Sequence, residues 1–243
     1  MSILDAIIQG VVQGLTEFLP VSSSGHLAIT QHILGAGTGE SNLFFNVMLH
    51  VGTLVAVVAF YHKLVWDLIK EFFLMLKDIF TGKFKWSKMN YNRNLVVMLI
   101  IGLIPLFLLF LPIPGTDMKL KDRADRLSAS PVLIVTACSL ILTSVLLTIG
   151  IIRNRKSVAS THKHLATKSN AKATRDNFNV VDAILVGVTQ VCAALLPGLS
   201  RSGSTLSVGE MRGISKQKAL DYTFVLGIPS ILAAALLEGV DAI

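Results

Sequence analysis

Charge is scarce in this sequence. Only 15% of its 243 residues are Asp, Glu, Lys or Arg, whereas 52% are hydrophobic and the mean hydropathy is +0.65. That balance exceeds what a soluble core can absorb and points to a polytopic membrane protein. Cysteine is nearly absent. Cys138 and Cys192 both lie in apolar segments without metal-type spacing, so they read as free packing residues. The N-terminus "MSILDAIIQG" has no cationic segment before its apolar run and carries Asp5, so it does not resemble a cleavable signal peptide and is expected to remain.

Apolar stretches of roughly spanning length, about 20 residues, are present at 43–60, 95–114, 131–152 and 219–237. They predict four transmembrane helices in an all-α fold. The net charge of +7 does not imply nucleic acid, because the basic residues collect in two loops beside these spans. Residues 61–94 hold Lys63, Lys70, Lys77, Lys83, Lys85, Lys88 and Arg93; residues 153–178 hold Arg153, Arg155, Lys156, Lys163, Lys168, Lys172 and Arg175. The positive-inside rule places both loops in the cytoplasm, and the two spans between them agree with that. The stretch "LVWDLIKEFFLMLKDIF" has helical amphipathic spacing and predicts a helix lying on the inner surface. Residues 153–179 are Ser/Thr/Lys-rich without apolar period and read as a flexible linker, with His162 and His164 solvated.

The sequence also contains itself. "DAIIQGVVQGLTEFLPVSSSGH" from Asp5 and "DAILVGVTQVCAALLPGLSRSG" from Asp182 coincide at nine of 22 positions without a gap, at an offset of 177. In that register Gln13 matches Gln190, Pro20 matches Pro197, Ser23 matches Ser200, Glu17 faces Ala194 and Arg201 faces Ser24. Each copy is a short apolar run, a Pro and Ser/Gly break, and a second short run. Neither run can span, and a broken helix at membrane depth needs protein or water for its freed backbone groups. The expected architecture is therefore an inverted-topology repeat: residues 1–152 with a re-entrant hairpin at 3–34, the linker at 153–179, and residues 180–243 with a second hairpin at 180–210. Three spans separate the copies, so the first hairpin is expected to enter from outside and the second from inside, their tips meeting near the midplane.

On the first hairpin Asp5, Gln9, Gln13 and Glu17 recur every fourth residue and form a polar stripe, expected to be a water path to the exterior. A carboxylate at this depth, Glu17, reads as functional. Arg201 offers a planar fork of donors for phosphate oxygens. Ser200, Ser202, Ser204 and Thr205 surround it, at a helix start whose N–H groups favour an anion. Ser23 or His26, beside the flexible Gly25, is the candidate nucleophile or proton carrier.

"GLTEFLPVSSSGHL" and "PGLSRSGST" together closely resemble the two signature segments of the undecaprenyl-diphosphate phosphatase, or bacitracin-resistance, family. The resemblance runs from about residue 3 to about 240 and is densest in those segments. It implies a multi-pass enzyme of the bacterial plasma membrane. That enzyme converts the C55 isoprenoid diphosphate to the monophosphate plus inorganic phosphate, recycling the carrier for cell-wall polymers. The family's E/Q-x-x-x-E element falls on Gln13 and Glu17, its Ser-x-Gly-His element on Ser23, Gly25 and His26, and its Ser-Arg-Ser-Gly element on Ser200, Arg201, Ser202 and Gly203. Glu17, Ser23, His26 and Arg201 are then the expected catalytic residues. Gln13, Ser22, Ser24, Gly25, Ser200, Ser202, Gly203 and Thr205 are expected to hold substrate. Glu17 and Gln13 are the expected ligands of a divalent cation, Mg²⁺ or Ca²⁺, although Gln13 stands where a second carboxylate would be stronger. The partners expected are the polyprenyl diphosphate and membrane lipid, with homodimerisation open, no nucleic acid, and an active site facing the extracytoplasmic side. The repeat and the resemblance both lead us to expect two further C-terminal helices.

Two other readings compete. Lipid phosphatases of the soluble-acid-phosphatase type also use Ser-Gly-His, but they need a histidine after their Ser-Arg, and none follows Arg201. A polyprenyl-phosphate flippase or other inverted-repeat transporter remains the alternative from another class. Against it, the acid and nucleophiles lie in one half and the cation in the other.

Overall fold

In the computed structural model residues 2–35, 40–86, 89–116, 118–128, 133–165 and 175–241 are described, those at 40–44, 125, 128, 156–165 and 238–241 by backbone alone. Among them the structure is helical, with two isolated β-bridges, Pro112 with Lys119 and Arg175 with Ile214. The helices are α1 (Ile3–Phe18), α2 (Ser23–Ile33), α3 (Glu40–Phe60), α4 (His62–Phe80), α5 (Tyr91–Leu103), α6 (Leu120–Ser128), α7 (Leu133–Leu165), α8 (Val180–Leu195), α9 (Arg201–Met211) and α10 (Lys216–Asp241).

Tyr91–Phe110, Leu133–Arg155 and Lys216–Leu237 are long and apolar enough to cross a membrane. The expected span at 43–60 is one arm of a bent pair, Phe45–Phe60 with His62–Phe80, which turns through 85° and counts as a fourth crossing when the pair is taken as one. The chain is an all-α polytopic membrane protein.

Three boundaries differ from expectation. The span placed at 95–114 begins at Tyr91 because Asn90 accepts a hydrogen bond from the Arg93 N–H and caps the helix there. It ends in a 3-10 segment over Ile104–Phe110, where Pro105 has no N–H for the α-helical ladder. The linker is not flexible throughout: α7 continues to Leu165, since residues 153–165 contain neither Pro nor Gly to stop it, while 166–174 lie outside the described residues. Cys138 and Cys192 are free but exposed rather than packed inside. In lipid an outward apolar side chain costs nothing, so apolar sequence does not mark the interior.

The core lies on the α4, α5, α8, α9 and α10 side, around Met98, Val186, Leu206, Ile214, Tyr222 and Leu226. Tyr222 stacks on Phe178 at 4.0 Å and donates its hydroxyl to the Met98 carbonyl at 2.7 Å. This crossing is close: a Cβ on Gly102 would meet the Tyr222 hydroxyl at 2.6 Å, and one on Gly187 the Gly102 carbonyl oxygen at 2.5 Å. At the base of α8, Asp182 is fully buried and pairs with Arg212 at 2.7 Å and Arg175 at 3.0 Å.

Candidate active site at the two hairpin tips

Each hairpin breaks at a proline and restarts on a serine cap. Ser22 Oγ accepts from Gly25 N–H before α2, and Ser200 Oγ accepts from Gly203 N–H before α9. Each cap serine also sits 3.4 Å from the serine two places on, Ser24 or Ser202. The caps satisfy one donor each and leave the N–H groups of Ser23, Ser24, Arg201 and Ser202 without a partner among the described residues, which is the condition for anion binding at a helix start. Ser22 holds φ = 76°, a conformation unfavourable to a non-glycine residue and costing about 1–3 kcal/mol, of the kind kept at functional sites.

The repeat is visible in these contacts, with one correction to its register. α1 and α8 start 177 residues apart, at Ile3 and Val180. Gln13 reaches Thr53 on α3 at 3.5 Å, and Gln190, 177 residues on, accepts from Ser230 on α10 at 3.3 Å. The caps, however, are 178 apart, Ser22 and Ser200. The second break is one residue longer. Gly198, at φ = +86°, fills it against Thr136, where a Cβ would meet the carbonyl oxygen at 2.8 Å. The residue equivalent to Arg201 is therefore Ser23 and not Ser24: "SSSG" and "SRSG" superpose, differing only at the first helical position.

Those two first positions face one carboxylate. Ser23 Oγ donates to Glu17 Oε2 at 2.6 Å, and Arg201 Nη2 donates to Glu17 Oε1 at 3.2 Å. Gln13 Nε2 supports Oε2 at 3.2 Å. The tips touch directly, since a Cβ on Gly203 would lie 2.5 Å from the Pro20 carbonyl oxygen. Glu17 is 7% exposed, so its charge is compensated by a guanidinium rather than by water.

A cavity of about 250 Å³ opens over this cluster. Glu17, Ser22, Ser23, Ser24, Ser200, Arg201 and Ser202 line it, with Val47 and His50 from α3, Ala193 from α8, and Ser230, Ile231 and Ala234 from α10. The remaining expected site residues are elsewhere. His26 does not line the cavity; its Nδ1 is 2.7 Å from the Ser22 carbonyl oxygen. Gly25 is a packing position, where a Cβ would meet Leu140 at 2.9 Å, and not a hinge. Gly25 and Gly203 spend their N–H groups on the caps, and Thr205 bonds the Arg201 carbonyl and Thr223. The stripe is not a water path: Gln9 is 0% and Gln13 1% exposed, with Gln31 donating to Gln9 at 2.8 Å. In a crowded helix pair, polar residues at four-residue spacing hydrogen-bond to neighbouring helices instead of wetting a channel.

His50 is the site residue that sequence reasoning missed. Its Nε2 is 3.8 Å from Glu17 Oε2, and its Nδ1 is held at 2.7 Å from the Asn46 carbonyl oxygen. Asn46, His50 and Thr53 share one face of an apolar span, a signal as open to reading as the stripe on α1.

Among the described residues no group of three or more His, Cys, Asp or Glu forms a metal cluster. Gln13 Oε1 is nevertheless buried without a hydrogen-bond partner. It and the Glu17 carboxylate lie one turn apart on α1 and are oxygen donors of the type that Mg²⁺ or Ca²⁺ takes, although it is Gln13 Nε2 that faces Glu17 and Gln13 does not line the cavity.

A family model described as bacitracin resistance protein BacA matches residues 6–243. The chain belongs to the BacA family. Within the BacA family, a protein named undecaprenyl-diphosphatase from Alkaliphilus metalliredigens is 38% identical over 244 residues, covering 100% of this chain and 78% of that protein. Proteins with the same name from Bacteroides fragilis and Methanobrevibacter smithii are 35% and 36% identical, over 100% and 98% of this chain and 77% and 76% of theirs.

Proposed function

We propose that this chain hydrolyses undecaprenyl diphosphate to undecaprenyl phosphate and inorganic phosphate at the hairpin tips. The supporting observation is Glu17 gripped between Ser23 and Arg201 in a cavity lined by two helix starts, four of whose N–H groups have no partner among the described residues. In this reading the terminal phosphoryl group binds Arg201 and those N–H groups, which neutralise its charge. Ser23 Oγ attacks the terminal phosphorus and passes its proton to Glu17 Oε2. The anhydride P–O bond breaks, and undecaprenyl phosphate leaves with the bridging oxygen. Water then attacks the phosphoserine, Glu17 hands its proton back to Ser23 Oγ as the Ser–O–P bond breaks, and the phosphate leaves with both hydrogens of the water. Gln13 and Glu17 would hold a Mg²⁺ or Ca²⁺, whose chemistry when bound is to offset phosphate charge.

Ser23 is preferred to His26 because it touches both the cavity and the carboxylate. The transporter reading is weaker, since Ser23 and Arg201 are chemically unlike at equivalent positions, whereas matched gates would carry like residues. Purified protein in detergent should release phosphate from a polyprenyl diphosphate and form a phosphoenzyme mapped to Ser23. Turnover undiminished in Ser23→Ala would refute the nucleophile, and no phosphate release by the intact chain would refute the function.

The site is also proposed to face outside a bacterial plasma membrane, with the basic loops inside. Ser2 and Asp176 are exposed at the starts of the two hairpins, so single cysteines there, in a background lacking Cys138 and Cys192, report the orientation. An impermeant thiol reagent on intact cells should modify the first and spare the second. The reverse pattern overturns the orientation.

A further inference from the structure

α4 leaves α3 through the 85° bend and is clamped to α5 by its acidic residues. Arg93 on α5 takes Asp78 at 2.7 Å and Glu71 at 3.1 Å, and Asn90 donates to Glu71 at 2.6 Å. The third acid, Asp67, pairs with Lys70 at 3.6 Å. Every carboxylate of α4 is thus matched within the fold. The cations are not: Lys63 and Lys77 on α4 and Lys83 and Lys85 just after it are exposed and have no carboxylate partner among the described residues. The surface carries surplus positive charge that nothing among the described residues answers.

Beside that charge runs an apolar ridge. Lys63, Lys70 and Lys77 recur every seventh residue, and so do Trp66, Phe73 and Phe80, which are 59%, 64% and 86% exposed. A helix with cations along the border of an exposed aromatic and aliphatic face lies in the interface of a bilayer. Under this face a groove of about 330 Å³ is bounded by Leu68 and Phe72 of α4, Val96 and Leu99 of α5, and Val225 and Pro229 of α10, with essentially no polar surface. It can take a hydrocarbon chain but not a headgroup. Its α10 wall includes Pro229, next to Ser230, which lines the catalytic cavity on the helix's other side.

We propose that this groove and the lysine border together form a binding site for one anionic phospholipid, its acyl chain in the groove and its phosphate on the Lys63, Lys70 and Lys77 border. The charge complementarity selects an anionic headgroup over a zwitterionic one. The site does not rest on the phosphatase reading, and its test reads lipid and not turnover.

The full chain is reconstituted with equal phosphatidylglycerol and phosphatidylcholine, extracted in mild detergent, and weighed with its retained lipid by native mass spectrometry. Basic side chains near an anionic surface each contribute about 1 kcal/mol, roughly fivefold. Phosphatidylglycerol should therefore be retained at least roughly tenfold over phosphatidylcholine, and the triple variant Lys63→Gln, Lys70→Gln, Lys77→Gln should lose that preference. Leu99→Trp, which fills the groove and spares the lysines, should abolish retention of either lipid while leaving the thermal unfolding temperature unchanged. Equal retention of the two lipids by the wild type, preference surviving in the triple variant, or retention unaffected by Leu99→Trp would each overturn the proposal. Displacement of the retained phosphatidylglycerol by a polyprenyl monophosphate would assign the groove to an isoprenoid tail instead and equally overturn it.

Discussion

Gly227 on α10 is where a single methyl group should separate catalysis from folding. The Arg201 guanidinium lies over it, and a Cβ there would sit 3.2 Å from Nη2 and 3.5 Å from Cζ. The same Nη2 donates to Glu17 Oε1 at 3.2 Å, so Gly227→Ala must move that atom by a few tenths of an ångström along or away from its bond. A hydrogen bond to a charged group is worth about 1.5–3 kcal/mol, and losing part of it, about 1 kcal/mol, slows phosphate release roughly fivefold. Gly227→Val leaves no room for the pairing and should cost roughly 10- to 150-fold on the same scale. Folding should move the other way for the alanine variant, because replacing Gly in a helix interior by Ala stabilises it by about 0.5–1 kcal/mol. The assay is phosphate released from a polyprenyl diphosphate by detergent-solubilised protein, with unfolding temperatures measured in parallel. Wild-type rates in both variants, at undiminished stability, would refute the claim that α10 positions Arg201.

Arg201→Lys should not rescue Arg201→Ala, because an ammonium cannot present two parallel donors to a phosphoryl group; near-full activity in the lysine variant would remove Arg201 from the phosphate clamp. Asp182→Asn leaves Arg175 and Arg212 around an uncharged amide at a buried position and should cost about 3–5 kcal/mol, seen as a steep drop in folded yield or unfolding temperature. Glu210 is buried on α9 with Oε2 lacking a hydrogen-bond partner among the described residues, so Glu210→Met should raise stability by about 1–3 kcal/mol; a fall in unfolding temperature would mean the carboxylate is satisfied in the working protein.

Composition and hydrophobic run length were sufficient for the membrane class and for three of the four expected crossings, because lipid forces each backbone polar group into a helix of minimum length; the fourth is one arm of a bent pair. The two Pro and Ser/Gly breaks, and with them Glu17, Ser23 and Arg201, were equally open to reading, since a charge or a broken helix inside an apolar run has few bland explanations. Other features needed the folded chain. A one-residue difference at Gly198 shifts which residue Arg201 matches, and gap-free letters cannot show it because a left-handed turn absorbs the extra residue without altering either flanking helix. The inward turn of Gln9 and Gln13, the exclusion of His26 from the cavity and the entry of His50 depend on which helices pack side by side. Periodicity assigns each side chain to a face of its own helix. Only the crossings of α1, α2, α3 and α10 decide what that face meets.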